Sequence, residues 1–238
     1  MKSLSRDDFN RGARSRRQSL LRPLIDFFSY YLILRQPWTR TSKVQGLYLR
    51  VPPTVFHPGI FITSKFFAKF IGGLDLSNKV VADVGTGSGV LALAAARAGA
   101  RVVATDINPS ATMAAASNAT TNGLGGRVLV VCTDLLSAIA PDPLFDVIIS
   151  SPPSFSGEPR DTADRAWRAG PEYRDIVKLF EQARQRLVPD ARMYVLFSTD
   201  SDLDLLHGVI LQAGLRAQVA AEHSIWMETF VIYELRPG

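Results

Sequence analysis

Hydrophobic positions along the 238-residue chain fall into short apolar runs separated by stretches in which apolar residues recur at helical spacing. The runs at 79–84, 101–107, 128–132, 145–149 and 193–197 are rich in β-branched or aromatic residues and bounded by turn formers, so each predicts a buried strand. Helices are predicted between them at 90–98, 109–122, 172–187 and 203–213. The first is an alanine- and leucine-rich run closed by Gly99, and the second opens on Pro109, whose fixed φ suits a first helical turn. Upstream, 47–51 predicts a short strand stopped by Pro52 and Pro53, and 64–71 a helix ended by Gly72 and Gly73. Two last runs, 215–221 and 229–235, have no helix between them and predict an antiparallel pair at the sheet edge.

Strands that alternate with helices at this spacing bury both faces of a mostly parallel sheet. The expected architecture is therefore α/β: a Rossmann-like, doubly wound sheet of seven strands with an antiparallel edge strand. A short N-terminal helical extension precedes it, with an amphipathic helix over 19–35. The boundary is expected near residue 50, with 1–50 a basic arm and helix and 51–238 the main domain. The connection 154–171 is long and rich in charge and turn residues, and such loops are usually functional or mobile.

Composition adds limits. With 47% hydrophobic and 21% charged residues the chain suits a globular protein with a sizeable core, and its net charge is +5. Much of that excess lies in Lys2, Arg6, Arg11, Arg14, Arg16, Arg17 and Arg22. They form either a phosphate-binding arm or a solvated terminus, and Phe9 is the one aromatic residue among them that could stack on bases. The single cysteine, Cys132, sits in an apolar run and is expected to be a buried structural thiol in a reducing, cytoplasmic compartment. One cysteine and three scattered histidines assemble no metal site. The apolar stretch 20–34 is interrupted by Arg22, Pro23 and Asp26, so no membrane span and no secretory signal are expected.

The chemistry begins at Asp83-Val84-Gly85-Thr86-Gly87-Ser88-Gly89, which leaves a strand and enters a helix. In an open parallel sheet, ligands bind beyond the carboxyl ends of the strands, where strand order reverses. Glycine-rich turns of this kind also serve dinucleotides. Three features point elsewhere. The spacing is G-x-G-x-G rather than G-x-G-x-x-G. Asp83, just before the glycines, suits an ammonium group and would repel a pyrophosphate. Asp106 ends the second strand, where its carboxylate can accept both ribose hydroxyls, and Asp134 ends the third, placed to meet an adenine amino group.

With these motifs the chain resembles the class I S-adenosylmethionine-dependent methyltransferases from about residue 79 to 235, and within them the HemK-type glutamine methyltransferases and related N-methyltransferases. The resemblance rests on residues 83–89, on Thr105-Asp106-Ile107-Asn108-Pro109, on Ser151-Pro152-Pro153 and on Met227-Glu228-Thr229-Phe230; Phe56-His57-Pro58-Gly59 is similar in place to the family's pre-core turn. It implies S-adenosyl-L-methionine as cofactor, held by Asp83, Gly85, Thr86, Gly87, Gly89, Asp106, Ile107, Asp134, Leu135 and Ser151. It also implies an acceptor site at Ser151, Pro152, Pro153 and Phe155. The family's acceptor motif is Asn-Pro-Pro-Tyr, whereas this chain has Ser151-Pro152-Pro153-Ser154 with Phe155 next. Serine in the first place also occurs in relatives that methylate exocyclic amino groups of bases.

If Ser151 Oγ and the Pro152 carbonyl accept the two N–H bonds of an amide or aromatic amine, its lone pair turns toward the methyl group. Positioning of this kind needs no strong general base. The expected function is N-methylation of a protein, nucleic-acid or small-molecule acceptor. O- or C-methylation of a biosynthetic intermediate, and a non-catalytic cofactor-binding scaffold, remain alternatives. His57 is a candidate base or a packing residue; Trp167 and Tyr173 flank the long loop, either lining a pocket or stapling the next helix. Oligomeric state is not legible.

Overall fold

The computed structural model describes residues 38–55, 62–161, 164–225 and 228–238. The basic arm, the helix expected over 19–35, the segment Phe56-His57-Pro58-Gly59 and Met227 lie outside the described residues. A hairpin of β1 (Arg40–Val44) and β2 (Leu47–Val51) comes first, then α1 (Ile62–Gly72). The alternation follows as β3 (Val80–Val84), α2 (Val90–Arg97), β4 (Arg101–Asp106), α3 (Pro109–Thr121), β5 (Val128–Cys132) and β6 (Phe145–Ser150). The chain closes with α4 (Arg174–Arg186), β7 (Leu187–Ser198), α5 (Leu203–Gln212), β8 (Leu215–Ile225) and β9 (Glu228–Pro237).

The seven-stranded sheet has the order β5-β4-β3-β6-β7-β9-β8. Strands β5 to β7 are parallel, and β9 runs antiparallel to both β7 and β8. The antiparallel strand thus stands one place in from the edge. The chain winds outward through β3, β4 and β5, then returns to place β6 on the other side of β3. That reversal opens a crevice above the carboxyl ends of β3 and β6.

Alternation along the strands divides the core in two. Val81, Val147, Ile149, Tyr194 and Leu196 face α1, α2, α3 and the hairpin, whereas Ala82, Ile148, Met193, Val195 and Phe197 face α4 and α5. Helix α2 is buried from Val90 through Ala96, and its small side chains let it lie close between sheet and neighbours. On the opposite face Ile176, Leu179, Phe180 and Ala183 of α4 recur at helical spacing and are buried.

Three differences from the sequence reading have physical causes. Strand β1 escapes the apolar pattern because RTSKV is mostly polar, and its antiparallel pairing with β2 is what orders it. The hairpin buries Val44, Leu47, Leu49 and Val51 in the core of the sheet's first face, so a boundary near residue 50 falls within β2. Cys132 is exposed rather than buried, because β5 is an edge strand and Cys132 its last residue.

Candidate active site

The glycine turn leaves β3 with all three glycines in the left-handed region, Gly85 at φ 75°, Gly87 at φ 55° and Gly89 at φ 87°. They serve different ends. A Cβ on Gly85 would meet nothing within 4 Å, so its bareness leaves open space above the strand ends. A Cβ on Gly89 would lie 3.1 Å from Cα and Cβ of Ala115, so that glycine lets α3 pack against the start of α2. The Thr105 carbonyl of β4 accepts both Gly85 N–H and Thr86 N–H at 2.9 Å, which pins the turn to the sheet.

Asp83 is fully buried beneath this turn. Its Oδ2 accepts from Thr86 Oγ1 at 2.7 Å and from Ala92 N–H at 2.9 Å, while Oδ1 has no hydrogen-bond partner. Burial pushes the carboxyl up to about 7; the two donors act against this and the neighbouring Asp106 charge adds to it. An unpartnered carboxylate oxygen at a strand end fits a cationic ligand group. Thr86 is buried and turned inward, so it orients Asp83 rather than facing the crevice.

Asp106 is half-buried at the end of β4. Its Oδ2 accepts Gly87 N–H at 2.8 Å and its Oδ1 accepts Asn108 N–H at 2.9 Å, and burial raises its pKa. Each oxygen keeps a second lone pair, so the carboxylate can brace the turn and still accept ribose hydroxyls. Ile107, next to it, is 40% exposed and offers an apolar surface. Asp134 lies beyond β5 and forms an ion pair with Lys178 of α4. Leu135 follows at φ 53° and packs against the core on the α4 side.

The segment expected to hold the acceptor begins one strand away. Val84 pairs with Ser150, so Gly85 and Ser151 are the next residues on adjacent strands, which in a sheet lie about 4.8 Å apart. Ser150 is buried and donates its Oγ–H to the Val84 carbonyl at 2.8 Å. Ser151 is exposed, and Pro152, Pro153 and Ser154 are half-buried. Phe155 stacks on Trp167, with ring centroids 6.2 Å apart and planes 7° from parallel. The long connection is thus folded back on itself. Phe155 N–H donates to the Trp167 carbonyl and Ala169 N–H to the Phe155 carbonyl, while buried Asp164 accepts from Arg160 and pairs with Arg168. Strand β7 continues three residues beyond Val195, the partner of Ser150, and pairs there with β9 to wall this side of the crevice. Of the closing run, Glu228 accepts from Ser198 Oγ, and Phe230 packs against the hairpin-side core.

The structure therefore brings Gly85, Gly87, Asp106 and Ser151 together at the carboxyl ends of neighbouring strands, with Asp83 buried beneath the turn. It leaves Asp134 and Leu135 on the β5 side and turns Thr86 and Gly89 to internal roles. Sequence reasoning missed Asn118 of α3 and Asn122, four residues on at the helix's C-cap. The Asn118 amide holds Arg50 N–H and carbonyl and the Ser88 carbonyl, and Asn122 holds Tyr48 N–H and carbonyl. Two carboxamides thus pair with alternate residues of β2 and fasten the hairpin to the turn; their helical spacing was the available signal. Among the described residues, no group of three or more His, Cys, Asp or Glu side chains is placed to hold a metal ion, and no helix is long and apolar enough to cross a membrane.

A family model described as ribosomal protein L11 methyltransferase matches residues 28–151, more than half of the chain. The chain belongs to this family. Among its relatives, the ribosomal protein L11 methyltransferase of Pelotomaculum thermopropionicum is 40% identical over 111 residues, covering 45% of this chain and 36% of that protein. The chain spans less than half the length of the curated L11 methyltransferases it matches. The solved structure of ribosomal protein L11 methylase from Lactobacillus delbrueckii subsp. bulgaricus superposes with a TM-score of 0.53 at 26% identity, covering 72% of this chain and 77% of that one. The fold alone is shared with the T. thermophilus 16S rRNA N2 G1207 methyltransferase in complex with AdoMet and guanosine, at TM-score 0.61 and 19% identity, covering 83% of this chain and 50% of that one. The assignment to the S-adenosylmethionine-dependent class I methyltransferases stands. The narrower likeness to HemK-type proteins finds no support among these L11 methyltransferases. The family match ends at Ser151, so the prolines and the folded loop lie beyond it.

Proposed function

We propose that the chain is an N-methyltransferase acting on a protein acceptor, with ribosomal protein L11 the first acceptor to test. The observation that carries the reading is the pairing of Val84 with Ser150. It sets an exposed Ser151 beside the open space over Gly85, one strand from the unpartnered Asp83 oxygen. Membership in the L11 methyltransferase family supports a protein as acceptor.

In this reading Asp83 meets the cofactor's ammonium, Asp106 its ribose hydroxyls and Asp134 its adenine amino group, with Gly85 and Gly87 leaving room and Ile107 and Leu135 flanking. Bound S-adenosylmethionine supplies a methyl group already activated on a sulfonium. The chain's own part is then to hold the acceptor nitrogen. Ser151 Oγ and the Pro152 carbonyl accept its N–H bonds, and the fixed φ of Pro152 and Pro153 directs those acceptors. The nitrogen becomes acidic as its new bond forms and loses its proton to solvent, so no buried base is required.

Calorimetry should show binding of S-adenosylmethionine and its demethylated product. Transfer of labelled methyl to purified ribosomal protein L11 should follow. Binding of a nicotinamide dinucleotide in their place would end the reading.

A further inference from the structure

We infer that Tyr173 is a positioning residue for methyl transfer, whose phenol fixes the acceptor segment after β6 against the start of α5; this rests on the function proposed above. The ring is buried, 1% exposed, in the core beneath α4 and α5. Its hydroxyl donates to the Ser154 carbonyl at 2.9 Å and accepts Asp202 N–H at 2.9 Å. Asp202 in turn caps α5 by accepting Leu205 N–H, so the phenol ties the acceptor segment to the turn that follows β7.

Two further observations converge on this strut. Glu172 and Tyr173 are consecutive residues in the left-handed region, at φ 51° and φ 59°, where glycine would be free of strain. Such strain persists only where the surrounding structure holds it. It is held by the buried ring and by Glu172 N–H donating to Ser156 Oγ. Second, between the anchored Ser154 and Ser151 stand only Pro152 and Pro153. With both φ angles locked, the segment has few soft torsions left, so fixing the Ser154 carbonyl fixes the direction of the Pro152 carbonyl and of Ser151. Phe155, bonded on both sides to the 167–169 arm, holds the far end.

The test is Tyr173→Phe in the full chain, which keeps the ring and removes both bonds. Hydrogen exchange at the Phe155 and Ala169 amides should accelerate at least tenfold, while exchange in α2 stays unchanged. S-adenosylmethionine affinity should stay within twofold, and kcat for methyl transfer should fall at least tenfold. Asp202→Ala removes the α5 cap but keeps the N–H that Tyr173 accepts, so it should leave loop exchange within twofold. Unchanged loop exchange in Tyr173→Phe, equal loosening by Asp202→Ala, or a loosened loop with unchanged kcat would each overturn the positioning role. An unmodified chain that binds S-adenosylmethionine and methylates no acceptor overturns the methyl-transfer reading and this role with it. That failure is told apart because it appears without any substitution.

Discussion

The turn after β3 and the segment after β6 leave neighbouring strands at the same height, yet they are held by different means. The first is a backbone device. Three left-handed glycines, the Thr105 carbonyl and the Asp83 and Asp106 carboxylates fix it, and most of those partners lie within about twenty residues in sequence. The second is held from a distance: Ser150 bonds to Val84, and Tyr173 joins Ser154 to Asp202. The family match covers the first and stops at the start of the second. The turn is built from geometry local in the chain, whereas the segment after β6 is built from tethers distant in sequence.

The sharpest way to break this contrast is at the glycines. Gly85→Val should abolish S-adenosylmethionine binding, a loss of at least about 1,000-fold or roughly 4 kcal/mol. The branched side chain enters the open space above β3. The left-handed backbone adds only about 1–2 kcal/mol of strain, so the fold should survive. Gly89→Ala should do the reverse, lowering thermal stability because its Cβ meets Ala115 at 3.1 Å. Calorimetry and thermal melts on the pair separate the two roles; full cofactor affinity in Gly85→Val would make that turn purely structural.

Asp106→Ala should follow, with a loss on the order of 100-fold in cofactor affinity. Hydrogen bonds to a charged group contribute about 1.5–3 kcal/mol each. The variant removes the acceptor for Gly87 N–H and the carboxylate proposed to receive the ribose hydroxyls. Asp106→Asn, which keeps one carbonyl acceptor, should fall between; equal affinity of Ala variant and parent would take the ribose away from this residue.

Protonation of Asp83 gives a smaller effect with a defined sign. Its pKa of about 7 stands above the ordinary carboxylate value, so the acid is largely neutral at pH 6 and ionised at pH 8. Only the ionised form attracts an ammonium group. Apparent affinity should therefore rise with pH, by roughly tenfold between pH 6 and pH 8, since only the competent fraction binds. Asp83→Asn should bind weakly and lose this slope. A parent profile that is flat, or that falls with pH, would detach Asp83 from the ligand's cation.

Legibility follows the same division. The βαβ order, Asp83, the glycines and Asp106 could be read because their signals are local in the chain. The bonds of Asn118 and Tyr173 could not, because the partners of Asn118 lie 68 and 30 residues away and those of Tyr173 19 and 29, reached through a helix-face amide and a phenol that sequence periodicity treats as packing. The stacking of Phe155 on Trp167 is likewise illegible, because that pairing is made only when the long connection folds back. Helix α4 starts at Arg174 rather than at residue 172 because Glu172 and Tyr173 take left-handed conformations that no propensity foretells.

The smallest expected effect tests the acceptor half directly. Ser151 is exposed just beyond β6, and among the described residues no hydrogen bond uses its hydroxyl, so Ser151→Ala should leave stability and cofactor affinity nearly unchanged. In the proposed mechanism, one of the two bonds that would orient the acceptor nitrogen is lost. A neutral hydrogen bond contributes about 0.5–1.5 kcal/mol, so kcat should fall by roughly two- to tenfold at saturating cofactor. Ser151→Asn separates acceptor classes. A carboxamide can still accept from an amide or amine N–H and should preserve part of the activity, but its added bulk should block a hydroxyl or carbon acceptor that needs close approach. Steady-state rates for the three proteins on one acceptor decide the matter. An alanine variant with parental kcat would remove Ser151 from the mechanism, and the acceptor end would then be defined by the loop that Tyr173 holds rather than by the strand end that Gly85 faces.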